Sequence, residues 1–559
     1  MKSMKVLKAL VGCLVLSLSS MMGAAQAQGL PHLERRGAAT QLIVDGKPFL
    51  ILGGETHNSS YNSADYMAPV WPMLRSMNLN TVLVPVAWED IEPQEGHFTF
   101  KVVDDFAAGA RKNNLRLVIL WFGSWKNTYS SYVPAWVKSD LARFPRVEMS
   151  SGQGTERLSP FSSAAQTSDA RAFARLMRHI AAIDRVQRTV LMVQVQNEVG
   201  VIPQSRDHSA VAEAAFAAPV PSELMQHLTT NRTRLNPTLR SVWEAAGARA
   251  SGTWQEVFGT GSVTDHLFMS WFYATYVEKV TAAGKAEYPL PMFTNAALIR
   301  PNYEPGQYNS GGPLPSSLDI WKAGAPSLEF LSPDIYFDQF VDWAAAYNRS
   351  DNPLFIPEAR GGKEGAANAL HAFGALNALG FSPFGIDGSE GAGDLDGNGQ
   401  SVGRRDDAIG HVYGQLAGLA PLILQKQAEG NIRAMVMEGE AQRAGRLRVG
   451  NYLANMVRAA PPGGTIDPNS RVGAMLLQIG PDEFLVVGSG DAQLTFTSDT
   501  KGLPIVGIQS IDEVFLRNGG MVAGRRLNGD ESGQGQLLRL LSSDAAQGKI
   551  YRVRLYRYR

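Results

Sequence analysis

The chain has one cysteine in 559 residues, no surplus of either charge and no apolar run long enough to cross a bilayer. Each absence excludes something. The single thiol, Cys13, lies inside an N-terminal leader, so the mature chain would have no disulfide and no thiolate metal site. Lys+Arg and Asp+Glu both count 52, which leaves no electrostatic footprint for nucleic acid or an anionic membrane. The longest early apolar stretch, Ala9 to about Leu18, falls short of the roughly 20 residues a span requires. It follows Lys2, Lys5 and Lys8 and precedes Ala25-Gln26-Ala27, the layout of a secretory signal cleaved after Ala27. Leu10-Val11-Gly12-Cys13 has the look of a lipoprotein box, but Lys8 interrupts the apolar run before it. The expectation is an exported protein, periplasmic or fully secreted.

What is present is an alternation. Between about residues 40 and 425, short apolar runs alternate with segments of helical spacing. A hairpin through Asp45-Gly46 leads to a first strand near Phe49-Leu-Ile-Leu52. Further strands are expected at Thr81, Leu115–Leu120, Val190–Gln196, Pro291–Thr294, Leu328–Leu331, Leu354–Ile356 and Phe381–Ile386. Eight such units predict a closed (β/α)8 TIM barrel, an α/β fold whose site lies at the carboxyl ends of the strands. The alternative, an open doubly wound sheet, would bring a Gly-rich nucleotide turn after the first strand, which Gly53-Gly54-Glu55 does not provide. From about residue 430 helical spacing gives way to period-two runs, which predict a smaller antiparallel β domain. The domains are therefore residues 1–27 as signal, 28–428 as barrel and 429–559 as the β domain. The last reads better as a scaffold than as a sugar-binding module, because it carries no convincing aromatic ladder.

Two glutamates follow apolar strands: Glu198, closing Val190-Leu-Met-Val-Gln-Val-Gln-Asn-Glu198, and Glu358, in Pro353-Leu-Phe-Ile-Pro-Glu358. A pair of carboxylates at strand ends is what glycoside cleavage requires: one protonates the leaving oxygen, the other attacks the sugar carbon. Strands four and seven face each other across a barrel, so both side chains can reach one bond. Arg360 stands close enough in sequence to hold Glu358 ionised. The first long connection, roughly 126–166, together with Trp125 before it, offers Trp125, Tyr129, Tyr132 and Trp136 for stacking on sugar rings, with loop packing as the plainer reading. Two decoys are set aside. Asp394-Leu-Asp396-Gly397-Asn398-Gly399 opens like a calcium loop but has Arg405 where a bidentate glutamate belongs. His57 has no second histidine at ligand spacing. No metal or organic cofactor is expected.

Taken together these segments resemble glycoside hydrolase family 35, the β-galactosidases. Val193-Gln-Val-Gln-Asn-Glu-Val-Gly200 resembles its acid/base motif, and NTVLVPVAWEDIEPQEGHF (residues 80–98) its Trp-then-Glu-Pro segment. Gly53-Gly-Glu-Thr-His57 and Pro134-Ala-Trp136 resemble its first-strand and post-third-strand motifs. The resemblance implies Glu198 as acid/base and Glu358 as nucleophile. It implies Asn197, Tyr336, Glu55, His57, Trp88 and Trp125 as substrate-binding residues. The chain departs from the family at Pro85, at Gly123-Ser124 and at Gln196, positions that touch the sugar in its relatives. The expected reaction is retaining, exo-acting release of terminal β-galactosyl residues, for instance from xyloglucan oligosaccharides. The alternatives are another β-linked sugar or a catalytically silent carbohydrate-binding barrel. The expected partner is carbohydrate alone.

Overall fold

A computed structural model describes residues 29–559 except 61–62, 300–301, 389–405, 441, 443, 499 and 518–519. The leader and the calcium-like loop thus lie outside the described residues.

A small antiparallel sheet comes first: β1 (His32–Arg36), β2 (Ala39–Val44) and β3 (Lys47–Phe49). The barrel strands β4 (Ile51–Leu52), β5 (Thr81–Ala87) and β6 (Arg116–Phe122) follow. After the excursion of β7 (Arg146–Glu148) and β8 (Gly154–Leu158) come β9 (Val190–Val195), β10 (Met292–Ala297), β11 (Phe330–Ile335), β12 (Ile356–Ala359) and β13 (Gly380–Pro383). They pair in parallel in the order β4-β13-β12-β11-β10-β9-β6-β5. The ring closes where Glu55 bridges both Leu83 and Phe384, with Leu83 donating its N–H to Gly54 and Thr56 donating to Leu83.

At least one helix follows each barrel strand, and the last before each next barrel strand, or before the sandwich, is α1 (Ala64–Ser76), α2 (Lys101–Lys112), α3 (Ser163–Asp184), α4 (Ser262–Glu287), α5 (Leu318–Gly324), α6 (Phe340–Tyr347), α7 (Gly362–Ala375) and α8 (Asp407–Glu429) in turn. Local chemistry fixes several ends. Ser63, Ser162 and Asp406 cap α1, α3 and α8 by accepting first-turn N–H groups, and Gly430 in the left-handed region stops α8. Among the described residues no helix is long and apolar enough to cross a membrane.

Side chains fill the barrel in layers. Leu83, Val118, Leu120, Met192, Phe293, Phe330 and Phe355 form an apolar plug, with the rings of Phe293 and Phe330 stacked at 5.1 Å. Two residues further along β10 and β11 the inward positions turn polar, to Asn295 and Ser332, and two further along β11 comes Asp334. This change marks the floor of the site.

The rest is a two-sheet sandwich. One sheet holds β14 (Ile432–Met437), β17 (Val472–Gly480), β18 (Glu483–Ser489), β20 (Ile505–Arg517), β21 (Gly520–Arg526) and β23 (Ile550–Tyr558). The other holds β15 (Ala444–Val449), β16 (Tyr452–Arg458), β19 (Ala492–Ser498) and β22 (Leu537–Leu540). Met437, Tyr452, Leu476, Phe484, Leu494 and Leu538 form the core between them. The outer face of the larger sheet joins the barrel core through Met475, Leu477, Leu485 and Val487. Close approach depends on two glycines. A Cβ on Gly374 of α7 would stand 2.7 Å from Ala434 Cβ, and one on Gly473 of β17 2.9 Å from Ala367 O. Arg471, buried at this seam, reaches Asn368 at 2.9 Å, the backbone oxygen of Asp338 at 3.1 Å, and the carboxylates of Glu364 and Glu438.

Candidate active site

The turn after β9 is held from every side. Gln196 and Glu198 sit in the left-handed region, at φ 64° and 46°, which costs backbone energy and persists only when neighbours impose it. Gln196 donates its N–H to Trp121 O, and Asn197 donates to Trp125 O. Glu198 donates its N–H to Asn295 Oδ1 at 3.0 Å, while its carbonyl accepts from Thr128 N–H and Asn309 Nδ2. Behind the turn Asp169, buried on α3, accepts from Trp121 Nε1, from Ser124 N–H and Oγ, and from Gln196 Nε2. Burial raises the pKa of Asp169, and these donors work against that rise. Gly123 must be glycine here, because a Cβ would stand 2.4 Å from Trp121 Nε1 and 2.7 Å from Asp169 Oδ1.

Across the barrel mouth Glu358 of β12 is buried. Its Oε2 accepts from the Tyr336 hydroxyl at 2.9 Å, and its Oε1 accepts from Asn197 Nδ2 at 3.3 Å. Asp334 of β11 lies in register with Glu358 and accepts from Asn295 Nδ2 at 2.6 Å. One oxygen each from Glu198, Asp334 and Glu358 all fall within 4.8 Å of one another. Loss of solvent around Glu198, and then the charge of Glu358, push its pKa up to about 7. Burial, then Glu358, raise Asp334 and Glu55 well above the usual carboxyl range. Glu55 is fully buried with neither carboxylate oxygen hydrogen-bonded.

The cation beside Glu358 is Lys126, at 3.9 Å and almost wholly buried. Burial opposes its charge, but Glu358, Glu198, Glu55 and Asp334 outweigh burial and leave its pKa raised. Arg360, expected in this role from its place in the chain, is exposed and pairs with Asp338 and Glu364 instead. The three clustered carboxylates have the spacing of a metal-ligand set, but the Lys126 ammonium already supplies positive charge beside them.

The other sequence candidates divide. Asn197, Tyr336 and Glu55 surround Glu358. His57 donates its backbone N–H to Asp387, and its ring tilts against Phe384 at 5.7 Å, on the loop after β13. Trp125 does not offer a face for stacking. It is fully buried, donates to Leu158 O and packs edgewise on Tyr273 and Tyr276. Its contribution is its backbone, which receives Asn197 N–H and donates to Gln196 Oε1. Trp88 is likewise buried, bonded to Glu92 and edge-on to Trp136. Both fill space under long connections. Lys126, Asp334, Asn295 and Asp169 went unseen in the sequence. Period-two alternation through Phe330, Ser332, Asp334 and Tyr336 was a signal that could have found Asp334; Lys126, on a loop, had none.

A cavity of about 470 Å³ opens beside Glu198, Asp334 and Tyr336, walled by Tyr303, Tyr308 and Phe337. Its outer loop is fastened to the one after Glu198. Val201 and Ser310 exchange N–H···O bonds at 2.8 and 3.0 Å, and a Cβ on Gly306 would meet the Gln204 backbone at 2.7 Å.

Residues 63–249 match the β-galactosidase model of glycoside hydrolase family 42, and residues 409–539 match a domain of unknown function, DUF5597. The motif resemblance had pointed to family 35 instead. A β-galactosidase from Xanthomonas manihotis is 36% identical over 95 residues, 17% of this chain and 15% of that one. The chain therefore spans a small part of this relative. Among solved structures, the β-galactosidase of Bacillus circulans sp. alkalophilus has a TM-score of 0.47 at 17% identity, covering 67% of this chain and 57% of its own. That of the psychrophilic Marinomonas ef1 has 0.46 at 13%, covering 67% and 61%. The stretch matching the β-galactosidase model carries Asn197 and Glu198, whereas Glu358 lies beyond it.

Proposed function

We propose that the protein is a retaining β-galactosidase-like glycosidase, acting from the chain end on terminal β-galactosyl residues of plant oligosaccharides such as xyloglucan fragments. One observation carries the reading. The carboxyl oxygens of Glu198 and Glu358 approach within 4.8 Å. That supports direct attack, which needs carboxyls about 5–5.5 Å apart, over inversion, which needs about 6.5–9.5 Å to admit a water.

Glu198 enters protonated and donates to the glycosidic oxygen, while Glu358 attacks the anomeric carbon and displaces the leaving group. Water, deprotonated by Glu198, then attacks the glycosyl ester and releases Glu358. Tyr336 and Asn197 orient the attacking carboxylate through the bonds already described. The cavity beside Glu198 suits the departing group, since the acid must face it. Glu55, Asn197 and Lys126, all buried and none lining the cavity beside Glu198, support a closed pocket and hence exo action. Export to the periplasm or beyond belongs to the same proposal and rests on the leader.

The test is hydrolysis of nitrophenyl β-glycosides by the mature protein and by Glu358→Ala, with the first-formed anomer read by proton NMR. The reading expects β-galactose first, loss of turnover in Glu358→Ala, and partial rescue by azide. An α-anomer first, or undiminished activity in the variant, refutes it. Turnover confined to another glycone keeps the mechanism and discards galactose.

A further inference from the structure

Lys126 holds its charge in an unusual setting. The Lys126 side chain is almost wholly buried, the Glu358 carboxylate stands 3.9 Å from its ammonium, and the Phe122 ring lies at 5.1 Å to the centroid. A counter-ion built only to neutralise Glu358 would close to about 2.7–2.9 Å and share a proton. Here the contact falls an ångström short, and among the described residues no acceptor lies at hydrogen-bond distance from the ammonium. A cation on so enclosed a side chain is costly unless an oxygen reaches it, so the gap reads as space for one.

The backbone spends energy to hold it there. Asn127 and Thr128 adopt φ 50° and 70°, and a β-branched residue is strongly disfavoured in that region. The turn is closed by reciprocal Lys126–Tyr129 bonds, by Thr128 N–H on Glu198 O, and by Arg157 Nε on Thr128 Oγ1. Such strain gathers where a side chain must point in one direction.

Three buried atoms near Glu358 also lack partners: Glu55 Oε1, Glu55 Oε2 and Asn197 Oδ1. Neither Lys126 nor Glu55 lines the cavity beside Glu198. Both act electrostatically on Glu358 without lining the cavity that suits the departing group, which leaves them for the sugar that stays on the enzyme. Their chemistries are complementary. An ammonium only donates, and a carboxyl accepts or, when protonated, does both. A sugar hydroxyl can accept from one and donate to the other.

We propose that Lys126 and Glu55 together read a hydroxyl, or a vicinal pair, of the glycone, and so set which sugar the enzyme accepts. The proposal rests on the glycosidase reading above. Glu198, Glu358 and Asp334 are the other charged groups facing Lys126.

The test uses the nitrophenyl β-glycoside turned over fastest and its four or fewer monodeoxy analogues, on the wild type and Lys126→Met. Wild type should lose about 10- to 100-fold in kcat/KM on one analogue, the range of a hydrogen bond to a charged group. Lys126→Met should lose about as much on the parent glycoside, and less than about threefold more on that same analogue, with the other penalties intact. Glu55→Gln, tested on the same series, should relax the same hydroxyl or its neighbour, and it serves alone if Lys126→Met does not fold. Deoxy penalties unchanged in the variants overturn the proposal and leave Lys126 a counter-charge. So does a wild type indifferent to every deletion. A wild type that cleaves no glycoside overturns the glycosidase reading itself, and this inference with it.

Discussion

The proposed mechanism requires Glu198 to enter the reaction protonated, and its pKa of about 7 makes that testable. A carboxyl at the ordinary 4.5 would be only about 3% protonated at pH 6; at about 7 it is about 90% protonated there and about 10% at pH 8. On a substrate with a poor leaving group, such as a β-galactosyl disaccharide, kcat/KM should therefore fall about tenfold per pH unit above roughly pH 7. The cause is separable. Loss of solvent is the larger contribution and the charge of Glu358 the next. Glu358→Gln removes only the second. In carbon-13 NMR of labelled glutamate, Glu198 should titrate below about 7 in that variant but still above 4.5. The same proton affects stability, and the sign is definite. Between pH 4.5 and about 7 the folded chain keeps a proton at Glu198 that the unfolded chain has released, so stability declines as pH rises through that window. The decline attributable to this group is at most about 3–4 kcal/mol, at about 1.4 kcal/mol per pH unit. Chemical denaturation of Glu198→Gln should lack that part of the slope. A midpoint unmoved by Glu358→Gln, or a wild-type Glu198 titrating near 4.5, refutes the reasoning.

Other outcomes follow from single contacts. Tyr336→Phe removes the 2.9 Å bond to Glu358 Oε2. A hydrogen bond to a charged acceptor contributes about 1.5–3 kcal/mol, and if the attacking carboxylate depends on it that much, kcat should drop about 10- to 100-fold. Arg471→Met leaves Glu364 and Glu438 without their shared cation at the barrel–sandwich seam. It should cost about 2–4 kcal/mol in a denaturant titration, and a cost near zero would show that the apolar seam alone holds the two parts together.

The barrel was readable in the sequence because β5, β6 and β9 are continuous apolar runs, the signature of strands covered on both faces. Glu198 and Glu358 were readable because they end such runs. The boundary of the first strand was not: Phe49 belongs to the hairpin sheet, since the apolar stretch runs unbroken into Ile51. The roles of Trp125 and Trp88 were misread for a reason of scale. A tryptophan beside a site and one beneath it look alike in a sequence, and only packing against Tyr273, Tyr276 or Trp136 separates them. Lys126 was invisible because nothing periodic governs a loop, and its inward direction is imposed by the turn at Asn127 and Thr128. The nearer cation by count, Arg360, points outward to Asp338 and Glu364.

The Val201–Ser310 fastening joins the loop carrying Glu198 to the loop carrying the aromatic wall. The two form one replaceable cassette. A graft that imports a relative's outer loop alone would pull on the backbone of Glu198 through Asn309, so retargeting this scaffold to a new leaving group calls for transplanting both loops at once.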